Sequence, residues 1–428
     1  MRILILNQFF YPDHSATSQL MTELAESLVE RGHRVTALAG RGRYNGGERF
    51  QSREVHLGIH IERAWTTSFG KRNSLGRITD YLSFYVGAWW KLLRLPGHDI
   101  VMALTTPPLI GLIALMISRL RGMHMVSLVQ DVYPDVAVAL GSLNPRSPMT
   151  RLLDMLSRAT LRRSDRIIVL GECMRERIVA KGVDPVRIDV IHNWADGSKI
   201  NPIETETNPF VEENDLKGKF VVLFSGNLGR VNDFSTVLEA ARVIQDHDSS
   251  DAIGTKPYVL FLFIGEGTEA VNIRRFIDQY KLENVRMLPY QPKELLPFTL
   301  AAANVALVTL REGLAGLSVP SKTYAILAAG RPILFIGDKE SDIARIIKEN
   351  ACGAVVSSGD SKRLAQLIKG WASDKTNLAQ LNRAARTTFE KHFDRPRAAA
   401  AYVDAFTKCM EPSHAMNSTI AKLEETSL

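Results

Sequence analysis

The chain has 428 residues, 45% of them apolar and 23% charged, values of a globular protein long enough to form two domains. Its three cysteines, Cys173, Cys352 and Cys409, are odd in number and far apart, which excludes a disulfide framework and a cysteine-clustered metal site. The net charge of +7 is uneven: residues 1–198 hold 25 Lys and Arg against 18 Asp and Glu, and the remainder holds 28 of each.

Residues 3–6 form a short apolar run, too short for a signal core, that reads as a first strand. Leu20, Leu24, Leu28 and Val29 share one face of a helix predicted over 19–31, and a second strand follows at 35–38. Residues 77–95 mix Tyr, Trp, Lys and Arg, including Trp89 and Trp90, and predict a helix lying in a membrane interface. Further strands are predicted at 100–104, 125–129 and 166–170. Residues 109–117 are apolar but too few to span a bilayer, and predict a buried helix. Strands alternating with helices imply an α/β domain with a doubly wound parallel sheet over residues 1–198. Its excess positive charge implies an anionic partner, and the aromatic company of the basic residues favours a membrane surface over nucleic acid.

Residues 199–218 contain two Asn-Pro steps and no periodicity, and read as a linker. The alternation resumes over 219–392, with strands at 219–224, 259–264, 285–288, 304–309, 333–336 and 354–356. Pro396 opens a last helix within 393–410, and the polar residues 411–428 predict a disordered tail.

Two loops of the second half carry the chemistry. The strand at 219–224 runs into Ser225, Gly226, Asn227, Gly229 and Arg230, where small residues admit a ligand to the backbone and a guanidinium offers a planar fork for phosphate oxygens. Further on, Gly313 and Gly316 lead to Ser318, Pro320, Ser321 and Lys322, and a helical run closes at Gly330. Proline suits a helix's first turn and glycine the left-handed residue beyond its end. Hydroxyls, helix N–H groups and an ammonium would then converge on a phosphate. No Walker loop is present, and no His, Asp or Cys cluster has metal-ligand spacing, so neither a metal nor another cofactor is expected.

Taken in order, these segments resemble the family 4 retaining glycosyltransferases from residue 1 to about 410. The resemblance is carried by Tyr11 to Thr17, the helix end near Gly32, residues 129–134 and 139–141, and residues 190–196. It continues through 225–230, Phe263 to Gly267, Pro320 to Lys322, and Gly330 to Pro332. It is strongest to the branch acting on bacterial capsule, O-antigen or colanic-type polysaccharides. It implies a GT-B fold, two facing Rossmann-like domains with the 393–410 helix crossing back onto the first. The second domain would bind a nucleotide-diphosphate sugar, with Lys322 on the diphosphate and Gly316, Leu317 and Ser318 holding sugar and phosphate by their backbone. Gly265 and Gly267 would lie at the next strand end, and Tyr290 where the base packs. The first domain would take a lipid-linked glycan acceptor, with the loop of Ser15 and Thr17 and with Gln130 and Asp131 on its cleft side. The enzyme would then sit in the cytoplasm, peripheral on the inner face of the membrane.

The sequence departs from the family in places. The glutamate that holds the ribose is replaced by Ala325, and its partner eight positions earlier falls on about Leu317. The basic pair of the first donor loop falls near Asn227 and Asn232, leaving Arg230 as substitute, and Gln130 replaces the acceptor-side histidine. His14 and Asp131 remain as polar candidates beside the reacting sugar. Departure of the diphosphate would be stabilised by Arg230, Lys322 and helix N–H groups, with the leaving phosphate taking the acceptor's proton on the same face of the sugar. Asp131 as a covalent nucleophile is the other route. Two other outcomes stay open: a nucleotide-sugar 2-epimerase of the same fold, and a non-catalytic scaffold of a polysaccharide assembly complex.

Overall fold

Continuous apolar runs become buried parallel strands here because helices cover both faces of each sheet. The computed structural model describes residues 1–43, 48–67, 69, 74–248 and 258–411, so most of the expected tail lies outside the described residues. The first sheet contains β1 (Arg2–Leu6), β2 (Arg34–Gly40), β3 (Arg53–His56), β4 (Ile59–Ala64), β5 (Ile100–Ala103), β6 (His124–Val129), β7 (Arg166–Val169) and β8 (Ile188–Val190). Its strand order is β3-β4-β2-β1-β5-β6-β7-β8, parallel except for β3. The second sheet contains β9 (Phe220–Ser225), β10 (Val259–Ile264), β11 (Val285–Leu288), β12 (Val305–Thr309), β13 (Ile333–Ile336) and β14 (Gly353–Val356). It is parallel throughout, in the order β11-β10-β9-β12-β13-β14.

Strands β3, β4 and β8 carry no signal that the sequence reading used. Strand β3 is a charged, four-residue antiparallel edge, and β8 ends the other side of the sheet with three residues. Edge strands are half-solvated, so they lack the continuous apolar run that marks the centre.

Each sheet reverses direction once. In the first, β1 lies between β2 and β5; in the second, β9 lies between β10 and β12. Connections leaving such a pair turn to opposite faces, so a crevice opens beyond their carboxyl ends. The two crevices face each other across the domain boundary.

Residues 199–218 are not a bare linker. Asn208 caps the short helix Pro209–Glu213, its amide donates to the Phe298 carbonyl, and Phe210, Val211 and Leu216 are buried in the core. The Asn-Pro step that reads as a break is that helix's cap and first residue. The last helix, Arg395–Met410, returns to the first domain and packs on the helix Ala16–Glu30. Arg395 there bonds Glu26 at 3.1 Å and Asp196 at 3.3 Å, and the Tyr402 ring meets Trp194 edge-on at 5.9 Å.

Candidate functional site

The second crevice opens between the loops that follow β9 and β12, and Lys322 stands at its floor. Helix Lys322–Ala328 begins with this residue, so Pro320 precedes the cap residue Ser321 rather than occupying the first turn. Gly330, with φ +64°, takes the left-handed position beyond the helix end. The Lys322 ammonium is buried, has no hydrogen-bond partner, and lies 3.3 Å from the centre of the Phe224 ring. Gly226 makes this possible: at its φ of +131° a Cβ would sit 3.2 Å from Lys322 Nζ. Burial without a counter-ion pulls the Lys322 amine down to about 7. A buried, unpaired cation is costly unless an anion completes it.

Around it lies a cleft cavity of about 820 Å³, bounded by both domains. Ser225, Gly226, Asn227, Ser318, Pro320, Ser321, Lys322 and Ala325 line one side, and Lys293, Glu294, Leu296 and Pro297 another. Glu23, from the helix Ala16–Glu30, lines it from the first domain together with Trp194. Glu23 accepts from Trp194 Nε1 at 3.2 Å and lies 3.8 Å from Lys293 Nζ, so an acid of one domain meets a base of the other. Burial pushes its carboxyl above the ordinary range, with Lys293 and Arg395 opposing. Sequence reasoning missed Glu23 because it sits on a helix face that reads as solvated; its partners come from residues 194 and 293.

The loop leading to Lys322 differs from expectation. Gly316 packs against the Cys173 carbonyl, where a Cβ would be 2.7 Å away, and the Leu317 carbonyl accepts the Val132 N–H at 2.9 Å. Ser318 forms an antiparallel bridge with Asp131, and its hydroxyl bonds the Asp131 carboxylate. These three residues join the two domains. The Asp131 carboxyl is pushed up by burial, held back by Ser318, and faces a narrow pocket of about 50 Å³ beside Pro108, Tyr133 and Ser157. The Asp131 carboxyl thus lines this pocket and not the cleft cavity around Lys322.

Arg230 is not beside Lys322. It is exposed, does not line the cleft cavity, and donates to the Leu140 carbonyl of the first domain at 3.0 Å. Asn232, where the family's second basic residue falls, braces the loop: its amide donates to the carbonyls of Asn227 and Gly229, and it accepts from Thr309. Gly229 is buried in that loop. Gly265 and Gly267 approach the carbonyls of Gly226 and Leu228, so they pack against the loop that follows β9. Tyr290 is half exposed, with its hydroxyl 3.4 Å from the Glu266 carbonyl.

On the facing domain, His14 is exposed and Thr17 half-buried, while Ser15 caps the helix Ala16–Glu30 with its hydroxyl buried and unpaired. Gln130 Nε2 is likewise buried without a partner, as are Gln8 Oε1, Asn7 Oδ1 and Thr66 Oγ1. These residues follow β1, β4 and β6, and the Gln8 N–H donates to the Thr106 carbonyl after β5. Unpaired polar groups at strand ends beside a reversal point are what a hydroxyl-rich ligand can satisfy. Asn7 and Gln8 were readable as the first polar residues after a parallel strand. On the outer face, Trp89 is half-buried, whereas Trp90 is 57% exposed with the Arg94 guanidinium 3.5 Å from its ring.

Comparisons with known proteins fit this geometry. Residues 16–194 match the family described as Glycosyl transferase 4-like domain, and residues 206–388 match Glycosyl transferases group 1. The chain is 31% identical to the probable glycosyltransferase WbjE of Pseudomonas aeruginosa, over 73% of this chain and 74% of that one. It is 22% identical to the putative colanic acid biosynthesis glycosyl transferase WcaI of Escherichia coli K12, over 81% of this chain and 86% of that one. Among solved structures it superposes on HepE of Anabaena, crystallised with UDP and glucose, with a TM-score of 0.70 at 16% identity. That match covers 95% of this chain and 99% of the other.

Proposed function

The chain belongs to the family 4 glycosyltransferases of the GT-B fold, and we propose that it moves a sugar, with retention of configuration, from a nucleotide-diphosphate sugar to a hydroxyl of a lipid-linked glycan. The observation that carries the donor reading is the unpaired Lys322 ammonium beneath Gly226 at the crevice of the second sheet. A diphosphate placed there would supply the counter-charge that the protein withholds. That HepE was crystallised with UDP supports a nucleotide as the group that fills the cavity.

As the bond to the sugar breaks, negative charge grows on the departing diphosphate, and a preorganised ammonium in a water-poor site stabilises it. Loss of one such donor costs about 100- to 1000-fold in rate. We take the departing phosphate as the acceptor of the glycan hydroxyl's proton, because the Asp131 carboxyl is tied to Ser318. The unpaired groups of Gln8, Ser15, Thr66 and Gln130 would orient the acceptor. The reaction needs no metal in this reading, so a chelator should leave the rate unchanged.

The names of WbjE and WcaI support a place in cell-surface polysaccharide synthesis. Among the described residues no helix is long and apolar enough to cross a membrane. The helix Ser74–Arg94, with Trp90 outward, would hold the enzyme peripherally on the cytoplasmic face. The decisive experiment incubates the protein with a panel of nucleotide sugars and a polyprenyl-diphosphate glycan. Transfer of one sugar, reduced at least tenfold in Lys322→Ala with the fold intact by circular dichroism, is expected. Hydrolysis or epimerisation without transfer would refute the reading.

A further inference from the structure

Lys322 and Ala325, three positions apart on the helix Lys322–Ala328, both line the cleft cavity and so share one face. A nucleoside whose diphosphate meets Lys322 must place its ribose within the same cavity, and Ala325 offers it only a methyl group. Leu296 and Pro297 on the neighbouring wall are apolar as well. A ribose brings two vicinal hydroxyls, and hydroxyls left unpaired in a water-poor site cost affinity.

Among the described residues the acids lining this cavity are Glu23, Asp196 and Glu294. Asp196 is already spent: one oxygen accepts from the Ser198 N–H at 3.0 Å, and the other faces Arg395 at 3.3 Å and Lys199 at 3.4 Å. Glu294 is exposed and keeps its water. Glu23 is different. Its side chain is only 16% exposed, and Trp194 Nε1 donates to one of its oxygens, Oε2. The other, Oε1, stands 3.8 Å from Lys293 Nζ, too far for a hydrogen bond but close enough for the charges to offset each other. Among the described residues no donor bonds Oε1. A carboxylate held by an indole, with the lone pairs of one oxygen free, is an acceptor for adjacent hydroxyls.

We infer that Glu23 makes the site select a ribonucleotide, its Oε1 accepting from the vicinal hydroxyls of the ribose while Lys322 holds the diphosphate. The inference rests on the nucleotide-sugar reading given above and adds the group that recognises the sugar of the nucleoside. Lys293 makes an acid tolerable beside an anionic ligand, because the pair brings no net charge. Glu23 belongs to the helix Ala16–Glu30 of the first domain and Lys322 to the second, so a ribonucleotide gripped by both would bridge the cleft.

Titration calorimetry of the full chain with UDP and with 2′,3′-dideoxyuridine diphosphate tests this. The wild type should bind the dideoxy compound at least about tenfold more weakly, the loss of a hydrogen bond to a charged group. Glu23→Ala should cut that preference to about threefold or less. Its affinity for the dideoxy compound should stay within about threefold of wild type, which would show the fold and the phosphate site intact. Glu23→Gln, which keeps an acceptor for Trp194, should also discriminate less than the wild type, and it decides the matter where Glu23→Ala does not fold. Equal wild-type affinity for the two compounds overturns this inference alone. So does a preference that survives at Glu23 and disappears in Glu294→Gln. An equal loss for both compounds in the Glu23 variants marks a brace between the domains and also overturns it. No binding of either compound by the wild type overturns the donor reading as well.

Discussion

The Lys322 ammonium gives the proposed donor site a measurable proton signature. Burial lowers its amine from 10.5 to about 7 in the unliganded protein, so near neutrality the site is only half charged. A diphosphate seated against it favours the charged form, and binding above neutral pH must therefore take up a proton. At pH 8 the uptake should be about 0.9 proton, and at pH 6 about 0.1. By the same linkage the dissociation constant for UDP should rise about 50-fold between pH 7 and pH 9. Titration calorimetry in two buffers of different ionisation heat reads both quantities, and Lys322→Gln should flatten them. The sign for stability runs the other way. Between about 7 and 10.5 the unfolded chain binds this proton and the folded chain does not. The unliganded protein is therefore stabilised as pH rises through that window, by up to about 5 kcal/mol from this group. Binding with no proton uptake at pH 8, and an affinity flat from pH 7 to 9, would refute the claim that the ammonium waits unpaired for phosphate.

Three other substitutions separate the roles of neighbouring residues. Gly226→Ala puts a methyl against the Lys322 ammonium at a φ that side chains rarely adopt, and should weaken UDP binding at least about tenfold while lowering the melting temperature. Ser318→Ala removes the hydroxyl that holds the Asp131 carboxylate; chemical denaturation should show a loss of about 1–3 kcal/mol, whereas calorimetry of Asp131→Asn should find UDP affinity intact. Arg230→Gln breaks the contact with the Leu140 carbonyl. Its UDP dissociation constant should stay within about threefold of wild type, and a 100-fold loss of transfer rate would instead restore Arg230 to the leaving group.

The legible parts of this protein are those encoded over short stretches of chain. The central strands of both sheets announce themselves because residues such as 259–264 are apolar without interruption, which only burial on both faces permits. Lys322 was legible from its neighbours, since small residues, a proline and a closing glycine define a strand–loop–helix unit within twenty positions. What escaped has either no apolar excess, as in edge strand β3, or a partner far away in sequence. Asp131 and Ser318 are 187 positions apart, and Glu23 and Lys293 are 270 apart, so no periodicity couples them. The consequence reaches the chemistry. A glycine and a serine in a loop before a helix can serve a phosphate or let two backbones touch, and local sequence is the same in either case. Here Gly316 and Ser318 touch the opposite domain, and only Lys322, a few residues on, is left without a partner. The loop that joins the domains thus ends in the unpaired ammonium, so the closeness of the two domains and the environment of that ammonium are set by one stretch of backbone.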